Sequence, residues 1–249
     1  MISFVVPAYN EERLLGRTLV ALNQAGRSLG EPFEIVVVDD ASTDHTADIA
    51  REHGARVVSV NHRQIAATRN AGAKAAAGGL FIFVDADTVV TGDVVRAAVA
   101  AIRGGAIGGG SVTHFDGHIP LYARFLLATA IPFYRLMGFA AGCFLFCTRE
   151  VFQLVGGFDE TMFGAEEAAM SRSLARHGPF VILREYVTTS GRKLRAYSAR
   201  ELLGELARLA LSGPKSVRRR EGLEMWYGDR RLDPGDPAET RVIPEGKQP

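Results

Sequence analysis

The sequence predicts an α/β protein on a doubly wound, mostly parallel sheet that continues into a mixed sheet. Three observations carry this. Over the first 90 residues, four apolar runs alternate with segments of helical period, which is the βαβ pattern of a parallel sheet. Each run ends abruptly in polar residues, as strands do where a parallel sheet opens its ligand crevice. The chain has 249 residues, 47% hydrophobic and 23% charged, enough for one large domain or two small ones.

In chain order, the first strand is expected over Ile2 to Val6, ending at Tyr9 and Asn10, and a helical segment begins near Glu11. The second runs from Phe33 to Val38, ends at Asp39 and Asp40, and precedes a helix near Asp44. The third, Val57 to Val60, ends at Asn61 and His62, with a helix near Gln64. The fourth, Leu80 to Val84, stops at Asp85-Ala86-Asp87, and a helix follows near Gly92. In extended backbone, side chains at i and i+2 share one side, so Asp85 and Asp87 can face one ligand. Two convergent carboxylates suit Mn²⁺ or Mg²⁺, which takes oxygen ligands and shares them with phosphates. An isolated Asp-x-Asp reads better as a turn or helix cap, so its weight depends on the surrounding chain.

No glycine-rich dinucleotide fingerprint follows the first strand, whose turn is Pro7-Ala8-Tyr9-Asn10-Glu11-Glu12, and no P-loop spacing occurs. The net charge of +1 argues against general nucleic-acid binding. Cys143 and Cys147 are too few for a disulfide framework and are expected as buried thiols. The chain opens directly on a strand, so a cytoplasmic protein is expected.

Four motifs taken together then carry a resemblance. Val6-Pro7-Ala8-Tyr9-Asn10-Glu11, Val36 to Asp44, Arg69-Asn70-Ala71-Gly72 and Asp85-Ala86-Asp87 resemble the ordered motifs of family 2 glycosyltransferases, which have the GT-A fold. The likeness continues through Ala141 to Phe146, Val155 to Glu160 and Glu166-Glu167, and reaches roughly residue 192. It implies a nucleotide-sugar donor, a UDP- or GDP-sugar, and an inverting transfer to an acceptor hydroxyl in cell-envelope glycan or glycolipid synthesis. By that likeness Pro7, Tyr9, Glu11, Asp40 and Arg69 surround the nucleoside, Asp85 the ribose side and Asp87 the metal, with Ala86 also among the donor-binding residues.

The chemistry needs a base for the acceptor hydroxyl, and Glu166 and Glu167 are the candidates. Two acids in a first helical turn are also what the helix dipole favours. Relatives usually carry Glu-Asp at this place, the Asp being the base; here the role falls to Glu167.

Residues Ile107 to Phe115 read as a strand entering the mixed half. His114-Phe115-Asp116-Gly117-His118 is read as loop, with His114 kept as a distant candidate metal ligand. The apolar segment Ile119 to Cys147, interrupted by Arg124, Pro132 and Arg135, is too short between breaks to span a bilayer. A helix there packs on the core by default; lying at a membrane surface beside a lipid-linked acceptor is the other reading.

From Arg184 to Arg220 ten basic residues face three acidic ones. Within this stretch Thr189-Ser190-Gly191-Arg192-Lys193 follows a strand at Tyr186 to Thr189, and resembles a segment found in family relatives after the base helix. Arg192 clamps the donor diphosphate in that reading and belongs to a solvated cluster in the other. Ser198-Ala199-Arg200-Glu201 is a capping box opening a helix expected to stop near Gly213-Pro214.

A catalytic domain is thus expected over 1–212, with a nucleotide-sugar half to about 115 and an acceptor half after it, then an extension over 213–249. Asp233 to Pro249 is expected as a flexible tail, and Met225-Trp226-Tyr227 as a segment able to dock on the domain. Peripheral contact with the inner face of the membrane is part of the same expectation. Two alternatives stand beside it: a haloacid dehalogenase-like phosphatase using Asp85 and Asp87, and a non-catalytic nucleotide-sugar binder.

Overall fold

The computed structural model describes residues 1–202, 204, 217–228, 231 and 233–235, and the side chains of these except 130–136 and Glu224. Its centre is an eight-stranded mixed sheet in the order β3-β2-β1-β4-β7-β6-β8-β5. The strands are β1 (Ile2–Ala8), β2 (Phe33–Asp40), β3 (Arg56–Val60), β4 (Leu80–Val84), β5 (Thr88–Val89), β6 (Gly108–Phe115), β7 (Phe144–Thr148) and β8 (Phe180–Thr189). β1 pairs in parallel with β2 and β4, and β2 with β3, which is the doubly wound half. β7 then runs antiparallel to both β4 and β6, and β8 runs parallel to β6 and antiparallel to β5.

The central strands are apolar on both faces because both faces are covered. Phe4, Val6, Ile82, Val84, Phe144 and Phe146 meet Leu15, Leu19 and Leu22 of α1 (Leu15–Arg27) and Val94, Val95 and Ala98 of α4 (Gly92–Arg103) on one side. Val5, Val36, Val38, Phe81, Phe83 and Leu145 meet α3 (Ile65–Ala75), α6 (Arg149–Leu154) and α7 (Glu166–Ala175) on the other. Here Phe83 stacks on Phe152 at 5.4 Å and meets Phe158 edge-on at 5.0 Å. Gly72 lets α3 lie against the sheet, since a Cβ there would come within 2.3 Å of Val5 Cγ1.

The first two helices start later than the sequence suggests, while α3 and α4 start where it places them, near Gln64 and Gly92. α1 begins at Leu15 and α2 (Thr46–Glu52) at Thr46, because the residues before them are spent lacing two loops together. Asn10 N–H donates to Ser42 Oγ at 3.0 Å, Glu11 N–H to Thr46 Oγ1 at 2.8 Å, and Glu12 N–H to Asp44 at 3.1 Å.

Other expectations need correction. His114 is not in a loop: it lies in β6, its ring stacked on Tyr186 at 4.1 Å, which uses the ring as a surface contact. Leu121 and Phe125 of α5 (Leu121–Leu136) are 77% and 73% exposed, so core packing does not hold for those two. β8 is longer than Tyr186 to Thr189, beginning at Phe180. Asp233 is not loose, because Arg195 donates to both its oxygens at 2.8 and 2.6 Å.

The capping box is present: Glu201 N–H donates to Ser198 Oγ at 3.4 Å and Ser198 N–H to Glu201 at 2.8 Å. Its expected end at Gly213-Pro214, and the tail over 236–249, lie outside the described residues. Both cysteines are buried, and burial pushes the Cys143 thiol up to about 12. Among the described residues no helix is long and apolar enough to cross a membrane.

Candidate active site

The carboxyl ends of β1, β2, β3 and β4 form one rim, and a cavity opens on it. Its lining includes Pro7, Tyr9, Glu11, Asp40, Arg69, Asp85, Ala86, Asp87, Glu167 and Arg192. Of the catalytic and donor-binding residues expected from the sequence, Glu166 alone stays out of the lining, lying behind it at 3% exposed; His114, the distant candidate metal ligand, is not in the lining either.

Arg69 organises the carboxylates. It stands on α3, 1% exposed, and donates to Asp85 at 2.9 Å, Glu166 at 3.1 Å, Glu167 at 3.2 Å and the Gly142 carbonyl at 3.1 Å. A buried guanidinium is stable only with such partners, and its fork reaches groups on three elements at once. One positive charge against three carboxylates leaves negative charge in excess. Burial, reinforced by Glu167 beside it and opposed by Arg69, raises the Glu166 carboxyl to about 8. Burial raises Asp85 to about 6, against the pull of Arg69 and with the push of Asp87. Gly142 leaves room for this cluster: a Cβ on it would stand 1.9 Å from Glu167 Oε1.

A second arginine holds the other half. Arg192 donates to Glu11 at 2.5 Å and to Asp87 at 3.2 Å, while the Thr189 hydroxyl donates to the second Asp87 oxygen at 3.2 Å. The solvated-cluster reading of Arg192 therefore gives way, since a guanidinium 17% exposed sits between two carboxylates. Nε of Arg192 and Nε of Arg69 are buried with no hydrogen-bond partner among the described residues.

Asp40 is placed at the cavity, but its carboxylate already accepts from the backbone N–H of His62 at 2.6 Å, Arg63 at 2.9 Å and Gln64 at 3.1 Å, and from Thr68 Oγ1 at 2.8 Å. It thereby shapes the turn that opens α3. Asn10, Ala41, Arg63 and Ala165 all have left-handed backbone, with φ of 50, 59, 52 and 57°. Three follow strands at the rim and the fourth precedes the helix bearing Glu166 and Glu167. Such strain gathers where surrounding bonds over-determine a functional loop.

With this geometry in view, sequence comparison is informative. A model described as Glycosyl transferase family 2 matches residues 3–158, more than half of the chain. The chain belongs to glycosyl transferase family 2. The chain is 36% identical over 111 residues to validoxylamine A glucosyltransferase of Streptomyces hygroscopicus subsp. jinggangensis, covering 42% of this chain and 26% of that one. It is 43% identical over 95 residues to undecaprenyl-phosphate 4-deoxy-4-formamido-L-arabinose transferase of Pseudomonas paraeruginosa, covering 35% of this chain and 28% of that one. It therefore spans little more than a quarter of these curated relatives.

Solved structures of similar fold include the mannosyltransferase PcManGT from Pyrobaculum calidifontis in complex with GDP-Man and Mn²⁺. That comparison has a TM-score of 0.66 at 19% identity over 88% of this chain and 65% of that one. S. aureus TarS 1-349 in complex with UDP-GlcNAc gives 0.61 at 22% identity, over 84% and 64%. The fold is that of GT-A glycosyltransferases.

Several lining residues have no signature in the sequence. Arg63 lies over the Tyr9 ring, 3.5 Å from its centroid, and Lys193 over Trp226 at 5.8 Å. Trp226 and Tyr227 reach the cavity from far along the chain; the sequence marks the segment as able to dock and does not say where.

Proposed function

We propose that this family 2 member transfers a sugar from a UDP- or GDP-sugar to an acceptor hydroxyl, with inversion and with a divalent cation. One observation carries the reading: a single cavity at the strand ends joins Tyr9, Asp85, Asp87, Arg192 and Glu167. The nucleoside packs at the end bounded by Pro7, Tyr9, Glu11 and Asp40, with its ribose beside Asp85 and Ala86. The guanidinium of Arg192, at the cavity beside Asp87, is suited to diphosphate oxygens.

The residues fit a cation of the Mn²⁺ or Mg²⁺ type. Asp87, with Asp85 nearby, offers oxygen ligands, and its present partners, a hydroxyl and a guanidinium, are exchangeable. Mn²⁺ in the PcManGT structure favours the same conclusion. A cation bound there supplies Lewis-acid stabilisation of the departing phosphate.

The protein's own groups do the rest. Glu167, aimed by Arg69, accepts the proton of the acceptor hydroxyl as its oxygen bonds to the anomeric carbon. The bond from that carbon to the phosphate oxygen breaks, and its electron pair leaves with the nucleoside diphosphate. Inversion is inferred from the family, with Glu167 on the face opposite the leaving group. Arg192 balances the leaving charge. Residues 1–212 are proposed as the catalytic domain, with 213–249 as its extension. The exposed Leu121 and Phe125, together with relatives named for undecaprenyl phosphate, support a lipid-linked acceptor and peripheral contact with the cytoplasmic face of a membrane. Family membership leaves no support for the phosphatase reading, and the ordered Arg69 carboxylate cluster favours an active enzyme over a bare binder.

The test is thermal unfolding with UDP and GDP, with and without Mn²⁺. Stabilisation by one nucleotide only when Mn²⁺ is present is expected, and no shift under any combination refutes the proposal. In the same unfolding assay Glu167→Gln should retain the shift, and in a transfer assay it should lose about 100-fold or more, the contribution of a positioned general base.

A further inference from the structure

Two pieces of the motif series take no part in the chemistry above: Asn70, which follows Arg69 on α3, and Val155 to Glu160, the stretch after α6. In the fold they meet. The Asn70 side chain pairs with both backbone groups of one residue, its Nδ2 donating to the Phe158 carbonyl at 2.9 Å and its Oδ1 accepting from the Phe158 N–H at 2.9 Å. Nδ2 also donates to Glu160 Oε1 at 2.9 Å. Gln64, at the head of the same helix, donates to the carbonyl of Glu160 and, at 3.1 Å, to that of Met162.

A side-chain amide that satisfies the donor and the acceptor of one residue fixes both its place and its orientation. Arg69 closes on the same target, its guanidinium 5.3 Å from the centroid of the Phe158 ring. Gly157 is fitted to this contact. Its φ of 79° is left-handed, and a Cβ on it would stand 2.7 Å from Asn70 Oδ1.

From this clasp the chain continues through Ala165, itself left-handed, directly into α7 with Glu166 and Glu167. Helix α3 thus holds the two acids twice. Arg69 acts on their side chains, and Asn70 acts on the loop that leads to the backbone carrying them. We propose that Asn70 is a positioning residue for Glu167, fixing the loop before α7 and with it the place of the Glu167 carboxylate at the cavity. This rests on the reading of Glu167 as the base. A merely structural Asn70 would lower the stability of the fold and leave turnover per folded molecule unchanged.

The experiment compares Asn70→Ala with the parent, as full chains in Mn²⁺, by two measurements. The first is amide hydrogen exchange, read residue by residue. Ala169 donates to the Ala165 carbonyl and so opens the bonded ladder of α7. Loss of the Asn70 bonds should speed exchange at Ala169 by about tenfold or more, while β1 and β4 keep their protection. The second is release of UDP from UDP-glucose and UDP-N-acetylglucosamine, and of GDP from GDP-mannose, with water standing in as the acceptor. There kcat should fall by up to about 100-fold with KM unchanged, as for a group misplaced by about 1 Å. Gly157→Ala should reproduce both effects, and the double variant should lose less than the two single losses combined, because both act through one contact. Should Asn70→Ala fail to fold, Asn70→Asp carries the comparison: it has the same shape, keeps the acceptor for Phe158 N–H and turns the donor into an oxygen facing the Phe158 carbonyl.

Unchanged exchange at Ala169 overturns the proposal, as does a kcat per folded molecule equal to the parent's. A parent that neither binds nor releases these nucleotides sinks the transfer reading instead, and the exchange result then decides by itself whether Asn70 fixes α7.

Discussion

Arg69 turns an otherwise unstable gathering of acids into a defined arrangement, and small changes beside it should have large effects. Gly142→Ala is the sharpest, because its new methyl would occupy the place of Glu167 Oε1. A general base moved by about 1 Å loses on the order of 100-fold in rate. We expect kcat to fall by that order while nucleotide affinity, measured by titration, holds. Glu166 gives a pH signature. Its folded carboxyl titrates near 8 against an ordinary 4.5, so between these values the folded protein holds a proton that the unfolded chain has released. Stability should therefore fall as pH rises through that window. Glu166→Gln keeps the oxygen facing Arg69 and should flatten the decline in Tm between pH 5 and 8; an equally steep decline would remove Glu166 as its source. The members of this cluster were readable from the motif series, Arg69 from Arg-Asn-Ala-Gly and the acids from Glu-Glu. Their sharing of one guanidinium was not, because Arg69, Gly142 and Glu166 meet only through tertiary contact.

Strands β1, β2 and β4 were legible because burial on both faces leaves each with an unbroken apolar run, Phe4 to Val6, Ile35 to Val38 and Leu80 to Val84. β7 was not, since its Phe144 to Cys147 run adjoins an apolar helix and periodicity cannot part the two. The two-residue β5 and the five-residue α8 (Arg192–Ala196) are too short to leave a pattern. At this scale the contact of α3 with the sheet is the firmest ground for a prediction. Gly72→Ala places a methyl 2.3 Å from Val5 Cγ1 and 2.7 Å from Val38 Cγ2. Overpacking of this kind is destabilising by about 1–3 kcal/mol. Denaturant unfolding should show that loss, and it should also push Arg69 out of line, so activity would fall further than the folded fraction alone explains.

For the molecule as a whole, the parallel half of the sheet was visible in the sequence as a repeating pattern, whereas the return of Tyr227 to the cavity was not, since it comes back to Ile65 over more than 150 residues. The exposed pair on α5 offers a test of where the whole protein works. If Leu121 and Phe125 touch a membrane, the parent should sediment with anionic phospholipid vesicles and a Leu121→Ser/Phe125→Ser variant should not; equal sedimentation of both would remove that role. The left-handed residues of the rim have a broader consequence. Glycine would sit in each of those four conformations with less steric penalty, roughly 1 kcal/mol in the case of an alanine. Side chains kept there against that preference hold each bend in a single shape. Asp40 performs the matching service for Arg63 by gripping three successive amides. The bends after β1, β2 and β3 are thus tied to one another, Asn10 to Ser42 and Thr43 and Asp40 to His62 through Gln64, so a change made in one is felt at the next.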